Sequence, residues 1–364
     1  MNVLMLSLDS SILDKNSISA GRMKNYGSIC DELHIIVLGK SGKAEKLADN
    51  IFVYSTSEKR MLALITLFFK ASKILQKEKD WIITCQDPFE TGLIGWLLAR
   101  KFKVGFEVQL HGDFYSNPYW KKERLLNGFR FYLGKFVLKR ANSVRAVSER
   151  IKKSIGGFAK GKINKIPIYT EIKSFNYSAG KRKDYLTLLA VGNLVPVKNH
   201  KQLIGVFAEI KKELQNAKLI IVGDGPLKKS LQLYSFTALQ LEKNIVFAGH
   251  RENLADYYNS ADILIHPSLY EGWGRALIEA AHFGAPIIMT DVGLAGEVIK
   301  NEESGLVVPV NDKEALKNAI IRLAKDKELQ KKLAQNAKKA VEEKMCTKEQ
   351  YLEKIKENWK AILA

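Results

Sequence analysis

Two glutamates, Glu271 and Glu279, bracket the turn Gly272-Trp273-Gly274 in the stretch 267–280, PSLYEGWGRALIEA. An apolar strand pattern at 262–266 runs into the turn, and a helical pattern with Leu277, Ile278 and Ala281 at core spacing follows. Glycines at a strand-to-helix turn let the backbone approach a ligand with no Cβ in the way. The first free N–H groups of the helix favour an anion there. Eight positions on one helix span about 12 Å. That is too far for a nucleophile–acid pair, whose carboxyl groups sit about 5–5.5 Å apart. Two separate grips on one long ligand fit better, and a phosphate receptor flanked by hydroxyl acceptors suits a sugar nucleotide.

The elements that position this turn form two alternating blocks. In the first, strand patterns at 3–9, 34–38, 51–54, 81–85, 104–110 and 143–147 are separated by helical periods such as 59–76 and 91–101. A further strand is expected at 163–169. The second block shows strands at 186–191, 219–222, 245–247, 262–266, 286–289 and 306–309, and the amphipathic period of 201–215 carries Leu203, Phe207, Ile210 and Leu214 on one stripe. Strand and helix alternation argues for parallel sheets covered on both faces, with ligands beyond the carboxyl ends of the strands. The expected class is α/β, with two Rossmann-like, doubly wound domains facing across a cleft. We place the first at 1–172, a polar linker with the hinge at 173–184, and the second at 185–346, followed by a final amphipathic helix at 347–364. Residues 312–344 read as largely helical.

With 364 residues the chain is long enough for two cores. Residues 1–9 read as a first β-strand, since they lack a basic start and close on Asp9. No apolar run approaches a membrane span. Cys30, Cys85 and Cys346 show no metal spacing, and Cys30 and Cys85 sit in apolar, core-like contexts, which suits a reducing cytoplasm. The formal charge is +19, and residues 100–165 alone hold 17 basic and 4 acidic side chains. Such a patch attracts anions: nucleic acid, or the inner surface of an anionic membrane. Within it, 119–140 reads as a long basic helical stretch whose aromatics Trp120, Phe129, Phe131, Tyr132 and Phe136 could stack single-stranded bases or lie at a membrane interface; at helical spacing they are expected to face the core, with the cations outward.

Glu271 and Glu279 with Gly272-Trp273-Gly274 between them resemble the signature of the retaining GT-B glycosyltransferases, the glycogen synthase-like group often called family 4, or glycosyl transferases group 1. The resemblance implies transfer of a sugar from a nucleotide to an acceptor hydroxyl with retained configuration, and a last helix that crosses back onto the first domain. It continues through the second block. Val191-Gly-Asn-Leu-Val-Pro-Val-Lys198 supplies a diphosphate-binding lysine, with Asn193 where the family usually has arginine; Lys201 and Arg275 are possible substitutes. The turn Gly223-Asp-Gly-Pro226 would wall the nucleotide site, and the base would lie near His250 and Arg251, just after Gly249. Glu271 and the amides of Gly272, Trp273 and Gly274 would meet the donor sugar and diphosphate. Glu279 would take the ribose hydroxyls, and residues 291–297 complete the pattern.

In the first block the match is weaker. Gly21 lies in a thin version of the family's glycine-rich turn after the first strand. Gln86-Asp87 could line the cleft or cap a helix. His111, with Gly112 behind it at a strand end, would reach the donor sugar. The catalytic set is therefore His111, Lys198 and Glu271. No covalent nucleophile stands out, and the family is thought to use the leaving phosphate to deprotonate the acceptor. No Asp-x-Asp triplet occurs and the six histidines lack ligand spacing, so no metal and no cofactor are expected beyond a UDP- or GDP-sugar substrate. The acceptor is expected to be a saccharide or lipid-linked saccharide in surface polysaccharide or glycolipid assembly, met in the cytoplasm or peripherally at the inner membrane face. The rivals are a sugar-nucleotide 2-epimerase on the same fold and a basic nucleic-acid-binding protein, although no groove-reading motif marks the latter.

Overall fold

A computed structural model describes residues 1–39, 45–56, 60–76, 80–172 and 184–363. The linker and hinge expected at 173–184 therefore fall almost wholly outside the described residues. The chain forms two compact units, one of 1–169 with 346–364, the other of 170–345.

In the first unit the order is β1 (Asn2–Ser7), α1 (Ile18–Gly27), β2 (Glu32–Val37), β3 (Glu45–Ala48), β4 (Ile51–Ser55), α2 (Arg60–Leu75), β5 (Trp81–Cys85), α3 (Glu90–Phe102) and β6 (Gly105–Leu110). Then come α4 (Pro118–Glu123), α5 (Leu126–Leu138), β7 (Ser143–Ala146), α6 (Glu149–Ile155) and β8 (Lys162–Lys165). Among the described residues the sheet runs β3-β4-β2-β1-β5-β6-β7-β8, and only the β3–β4 pair is antiparallel. Parallel strands buried on both faces read as continuous apolar runs, and β1 and β5 are buried at every position. The reversal of strand order falls between β1 and β5, whose ends are tied by Ser7 Oγ donating to Gln86 Oε1 at 2.6 Å.

The helical stretch expected over 119–140 is two helices. Asn117 caps α4 by accepting from the Tyr119 N–H, and the chain turns extended at Arg124 before α5 begins. The aromatics also divide differently from expectation. Trp120 is buried, but Phe129 is 68% exposed and Tyr132 66%. The inward stripe of α5 is instead made by Asn127, Gly134, Val137 and Leu138. A period of 3.6 tells which residues share a face, not which face turns inward when both carry apolar groups.

The second unit runs β9 (Leu186–Val191), α7 (His200–Ile210), β10 (Ala217–Val222), α8 (Lys228–Leu233), β11 (Ile245–Gly249), α9 (Ala255–Asn259), β12 (Ile263–His266) and α10 (Arg275–His282). It ends with β13 (Ile287–Thr290), β14 (Leu306–Val308), α11 (Lys313–Lys325) and α12 (Lys327–Lys344). Its parallel sheet is ordered β11-β10-β9-β12-β13-β14 among the described residues. Leu203, Val206, Phe207 and Ile210 of α7 pack with Leu188, Leu219 and Ile221 of the sheet. Asp326 divides α11 from α12 and caps the latter by accepting from the Leu329 N–H at 2.8 Å.

The last helix, α13 (Lys348–Leu363), belongs to the first unit. Tyr351, Leu352, Ile355 and Trp359 join Met23, Tyr26 and Ile166 in its core. Its Asn358 and Trp359 donate to Glu107 of β6, a carboxylate with no solvent exposure.

Candidate functional site

In the second unit the strand order reverses between β9 and β12, and in open α/β sheets ligands bind beyond the strand ends at such a point. The sequence places its chemistry on those two ends. Gly192 follows β9 and Gly223 follows β10, and a Cβ on Gly223 (φ +144°) would collide with the Gly192 carbonyl oxygen. The two glycines therefore let neighbouring turns touch. Lys198 then folds back along Gly192, where a Cβ would sit 3.4 Å from its Cε.

The Lys198 ammonium pairs with Glu271 Oε1. The same oxygen faces His266 Nε2 at 3.0 Å and accepts from Ser268 Oγ at 3.2 Å. Among the described residues every partner of this carboxylate engages Oε1, so Oε2 remains to accept from a ligand hydroxyl. Burial opposes ionisation of Glu271, but the Lys198 charge and the His266 bond outweigh it and hold the carboxyl down to about 2. Gly293, at φ +56°, backs this group. A Cβ there would lie 2.9 Å from the Glu271 Cβ and 2.7 Å from the Trp273 carbonyl oxygen. His266 and Ser268 lay inside or beside the motif, yet sequence reasoning gave them no role, and Gly293 entered only as one position of the 291–297 match. A histidine closing an apolar strand reads as core.

Gly274 begins α10 at φ +100°, and no side chain caps the helix there. The Leu277 N–H bonds to the Gly274 carbonyl, which leaves the amides of Arg275 and Ala276 to face an anion at the positive end of the helix. Trp273 is buried. Glu279, one turn on, accepts from the Tyr258 hydroxyl at 2.8 Å and has Arg275 at 3.6 Å. Burial raises its carboxyl above the usual range despite both partners.

The other donor-side residues are looser. Asn193, His250 and Arg251 are exposed, and Arg251 donates to the Tyr257 hydroxyl. Of the two proposed substitutes for the missing arginine, Arg275 faces Glu279, whereas Lys201 is exposed with its ammonium 5.4 Å from the centre of the Tyr234 ring.

His111 and Gly21 belong to the first unit. Gly21 is not at a turn. It lies within α1, after the Ser17 cap, exposed, and a Cβ on it would meet nothing within 4 Å. His111 follows β6 and is tied into a buried relay. Gln109 Nε2 donates to Thr84 Oγ1, which donates to Glu107. The Gln109 oxygen therefore faces His111 Nε2 at 3.0 Å, and that nitrogen carries the proton. Burial, then the charges of Arg145 and Arg22, push the ring's pKa to about 3. A neutral imidazole with a free Nδ1 lone pair accepts a hydrogen bond from a hydroxyl and is no proton donor near neutrality. Asp87 lies just before α3, where it accepts from the Phe89 N–H and the Thr91 hydroxyl without capping the helix, and burial lifts its pKa to about 6.

Two buried histidines of the second unit give it a pH dependence. Burial, with the charges of His266 and Lys198, lowers His200 to about 4; burial and Lys198 lower His266 against the pull of Glu271. Between that value and about 6.5 the unfolded chain binds protons that the fold excludes. Stability contributed by a neutral histidine is complete above about 6.5 and is lost as the pH falls, by up to about 1.4 kcal/mol per pH unit. Urea unfolding of His200→Gln and the parent at pH 7.5 and 5.5 should show the variant losing less on acidification. Equal losses would mean that His200 titrates normally.

No helix of the described residues is long and apolar enough to cross a membrane, and among them no three His, Cys, Asp or Glu side chains are grouped to hold a metal ion. Residues 172–340 match the family described as Glycosyl transferases group 1. The chain is 26% identical to the capsular polysaccharide biosynthesis glycosyltransferase CapM of Staphylococcus aureus, over 94% of this chain and 92% of the relative. It is 27% identical to the Escherichia coli UDP-Gal:alpha-D-GlcNAc-diphosphoundecaprenol alpha-1,3-galactosyltransferase, over 74% and 72%. Sucrose-phosphate synthase of Thermosynechococcus elongatus shares the fold at a TM-score of 0.83 and 20% identity, covering 99% of this chain and 98% of that one. Residues 172–340, the greater part of the second unit, thus match the group 1 glycosyltransferases, and the two parallel α/β sheets share the GT-B fold of that structure.

Proposed function

We propose that the protein moves a sugar, with retention of configuration, from a UDP- or GDP-sugar to a hydroxyl of a saccharide carried on a lipid diphosphate, during surface polysaccharide or glycolipid assembly at the inner membrane face. The observation that carries this reading is the Lys198–Glu271–His266 cluster beside the uncapped start of α10. A cation and a helix N-terminus stand where a diphosphate would gain charge as it leaves. Lys198 and the amides of Gly272 to Gly274 would take the diphosphate, Glu271 a sugar hydroxyl and Glu279 the ribose. This positive charge serves in place of a metal. Nearby, Gly223 walls the nucleotide, and His250 and Arg251 flank the base. In the first unit, His111 Nδ1 would accept from a donor-sugar hydroxyl.

The step then balances as follows. The bond from the anomeric carbon to the diphosphate oxygen breaks, and a bond from that carbon to the acceptor oxygen forms on the same face. The acceptor proton passes to the leaving phosphate. Lipid-linked acceptors are supported by the Escherichia coli relative, whose name specifies a diphosphoundecaprenol substrate and UDP-Gal.

Incubation with labelled UDP- and GDP-sugars, EDTA and a lipid-diphosphate saccharide should give labelled lipid, and NMR of the product should show the donor's anomeric configuration. Inverted product, or an epimerised sugar nucleotide formed without acceptor, would overturn the proposal. Asn193 gives a second test. A charged donor in place of its amide adds a charge-assisted hydrogen bond of about 1.5–3 kcal/mol. Asn193→Arg should therefore lower the KM for donor by about tenfold or more; an unchanged KM would place the diphosphate elsewhere.

A further inference from the structure

The chain crosses the first sheet in one direction from β4 to β5, β6 and β7. Right-handed crossovers place α2, α3 and α5 on the same face of the sheet, and α3 packs against both others. The inner side of α2 is apolar, with Ala63, Leu67, Ala71 and Ile74 buried. Its outer side is apolar too: Leu62, Ile65 and Phe69 are 49%, 52% and 62% exposed and follow at i, i+3 and i+7. The outer side of α5 repeats this, with Leu125 and Leu126 at its start, then Phe129 and Tyr132 a turn apart, all exposed. Single exposed apolar residues are ordinary. Stripes at helical spacing on two helices of one layer mark an interaction surface.

Cations frame these stripes. Lys121, Lys122 and Arg124 precede α5, and Lys139 and Arg140 follow it, all exposed. Several lie over rings: Lys121 Nζ is 4.9 Å from the centre of Phe131, and Arg140 Cζ is 3.6 Å from that of Phe136. An aromatic ring leaves the positive charge in place for an anionic partner. On the carboxylate side, Glu90 is paired with Arg130 at 2.7 Å, and Glu123 is the exposed acid beside the basic cluster. Long basic side chains around an apolar, aromatic centre match a bilayer interface, where apolar groups enter the acyl boundary and cations reach lipid phosphates.

We propose that the outer face of the α2–α3–α5 layer docks on an anionic lipid bilayer, with Phe129, Tyr132 and the apolar stripe of α2 entering the headgroup boundary. This deepens the lipid-linked acceptor reading above, and the test separates the two. The full chain is mixed with phosphatidylcholine vesicles, with and without phosphatidylglycerol, in the absence of donor and acceptor, and the bound fraction is measured by sedimentation at low and high salt.

Wild type should bind the anionic vesicles at low salt and release at high salt. Phe129→Ser/Tyr132→Ser should bind at least about tenfold more weakly, since two large apolar contacts with the bilayer are lost. Lys121→Glu/Arg124→Glu should bind weakly with a flatter salt response. Both variants should keep the parent's binding of UDP or GDP and its transfer to a short, soluble acceptor, which shows that they fold. No vesicle binding by wild type, equal binding by all three proteins, or a wild-type dimer that the Phe129→Ser/Tyr132→Ser variant dissolves would each overturn the proposal. Vesicle binding without any sugar transfer would support this surface while refuting the proposed reaction.

Discussion

Lys198→Ala is expected to lower kcat/KM for sugar transfer by about 10²–10³-fold, the usual effect of removing one preorganised charge from a developing oxyanion. Lys198 is the ammonium that the strand end and Gly192 hold against Glu271. A diphosphate entering beside α10 would take over that ammonium, and Glu271 would be free to turn to a hydroxyl. The variant should also show a change that lost binding alone would not give. Glu271 is buried, and Lys198 is the strongest influence keeping it ionised. Without that cation its pKa rises, and the acid limb of the pH–rate profile moves to higher pH. Lys198→Arg should recover part of the rate. A Lys198→Ala enzyme within threefold of the parent, with an unmoved profile, would remove this residue from the mechanism.

The second large effect is on stability. Arg145→Met should destabilise the first unit by about 3–5 kcal/mol, the range for breaking a buried charge pair from one side. The Arg145 side chain is 1% exposed. It donates to the hydroxyls of Tyr26 and Tyr351, the Gln109 oxygen and the carbonyls of Ile166 and Pro167. Burial disfavours its charge, but Tyr351, Tyr26 and Glu107 outweigh it and hold the guanidinium charged. Fully buried Glu107 is otherwise met by neutral donors, Thr84, Asn358 and Trp359. Loss of Arg145 leaves that carboxylate without its cation and frees the oxygen that orients His111. Hydrogen exchange of the β6 and β7 amides should accelerate accordingly. Arg145→Met/Glu107→Gln should be less destabilised than the sum of the single changes. A loss below about 1 kcal/mol for Arg145→Met, judged against that range, would mean that the buried charge is dispensable.

Arg145 also shows where sequence reading fails. It counts among the cations of the basic stretch 100–165, yet it sits at the centre of the first unit's core. Nothing local distinguishes it from Arg140, because the two tyrosines that hold its charge, Tyr26 on α1 and Tyr351 on α13, lie more than a hundred residues away in each direction. The same holds for His111. Its place at a strand end was legible, but the Thr84–Gln109 relay that fixes its proton joins two strands. The second unit was easier to read. Lys198, Glu271 and Gly223 stand in short motifs at its strand ends, where the family resemblance singled them out. The pairing of Lys198 with Glu271 across 73 positions was not legible there. Phe129 and Tyr132 went wrong for the opposite reason: α5 is apolar on more than one side, and periodicity alone cannot say which side the sheet covers.

The most direct test of the central claim is calorimetric titration of UDP and GDP into the full chain in EDTA, for the parent and for Lys198→Ala. We predict one saturable site for one of the two nucleotides in the parent, weakened at least about tenfold in the variant, as the loss of one charge-assisted contact to phosphate requires. Binding of neither nucleotide, or equal affinity in both proteins, would contradict a diphosphate site built on Lys198 and the start of α10.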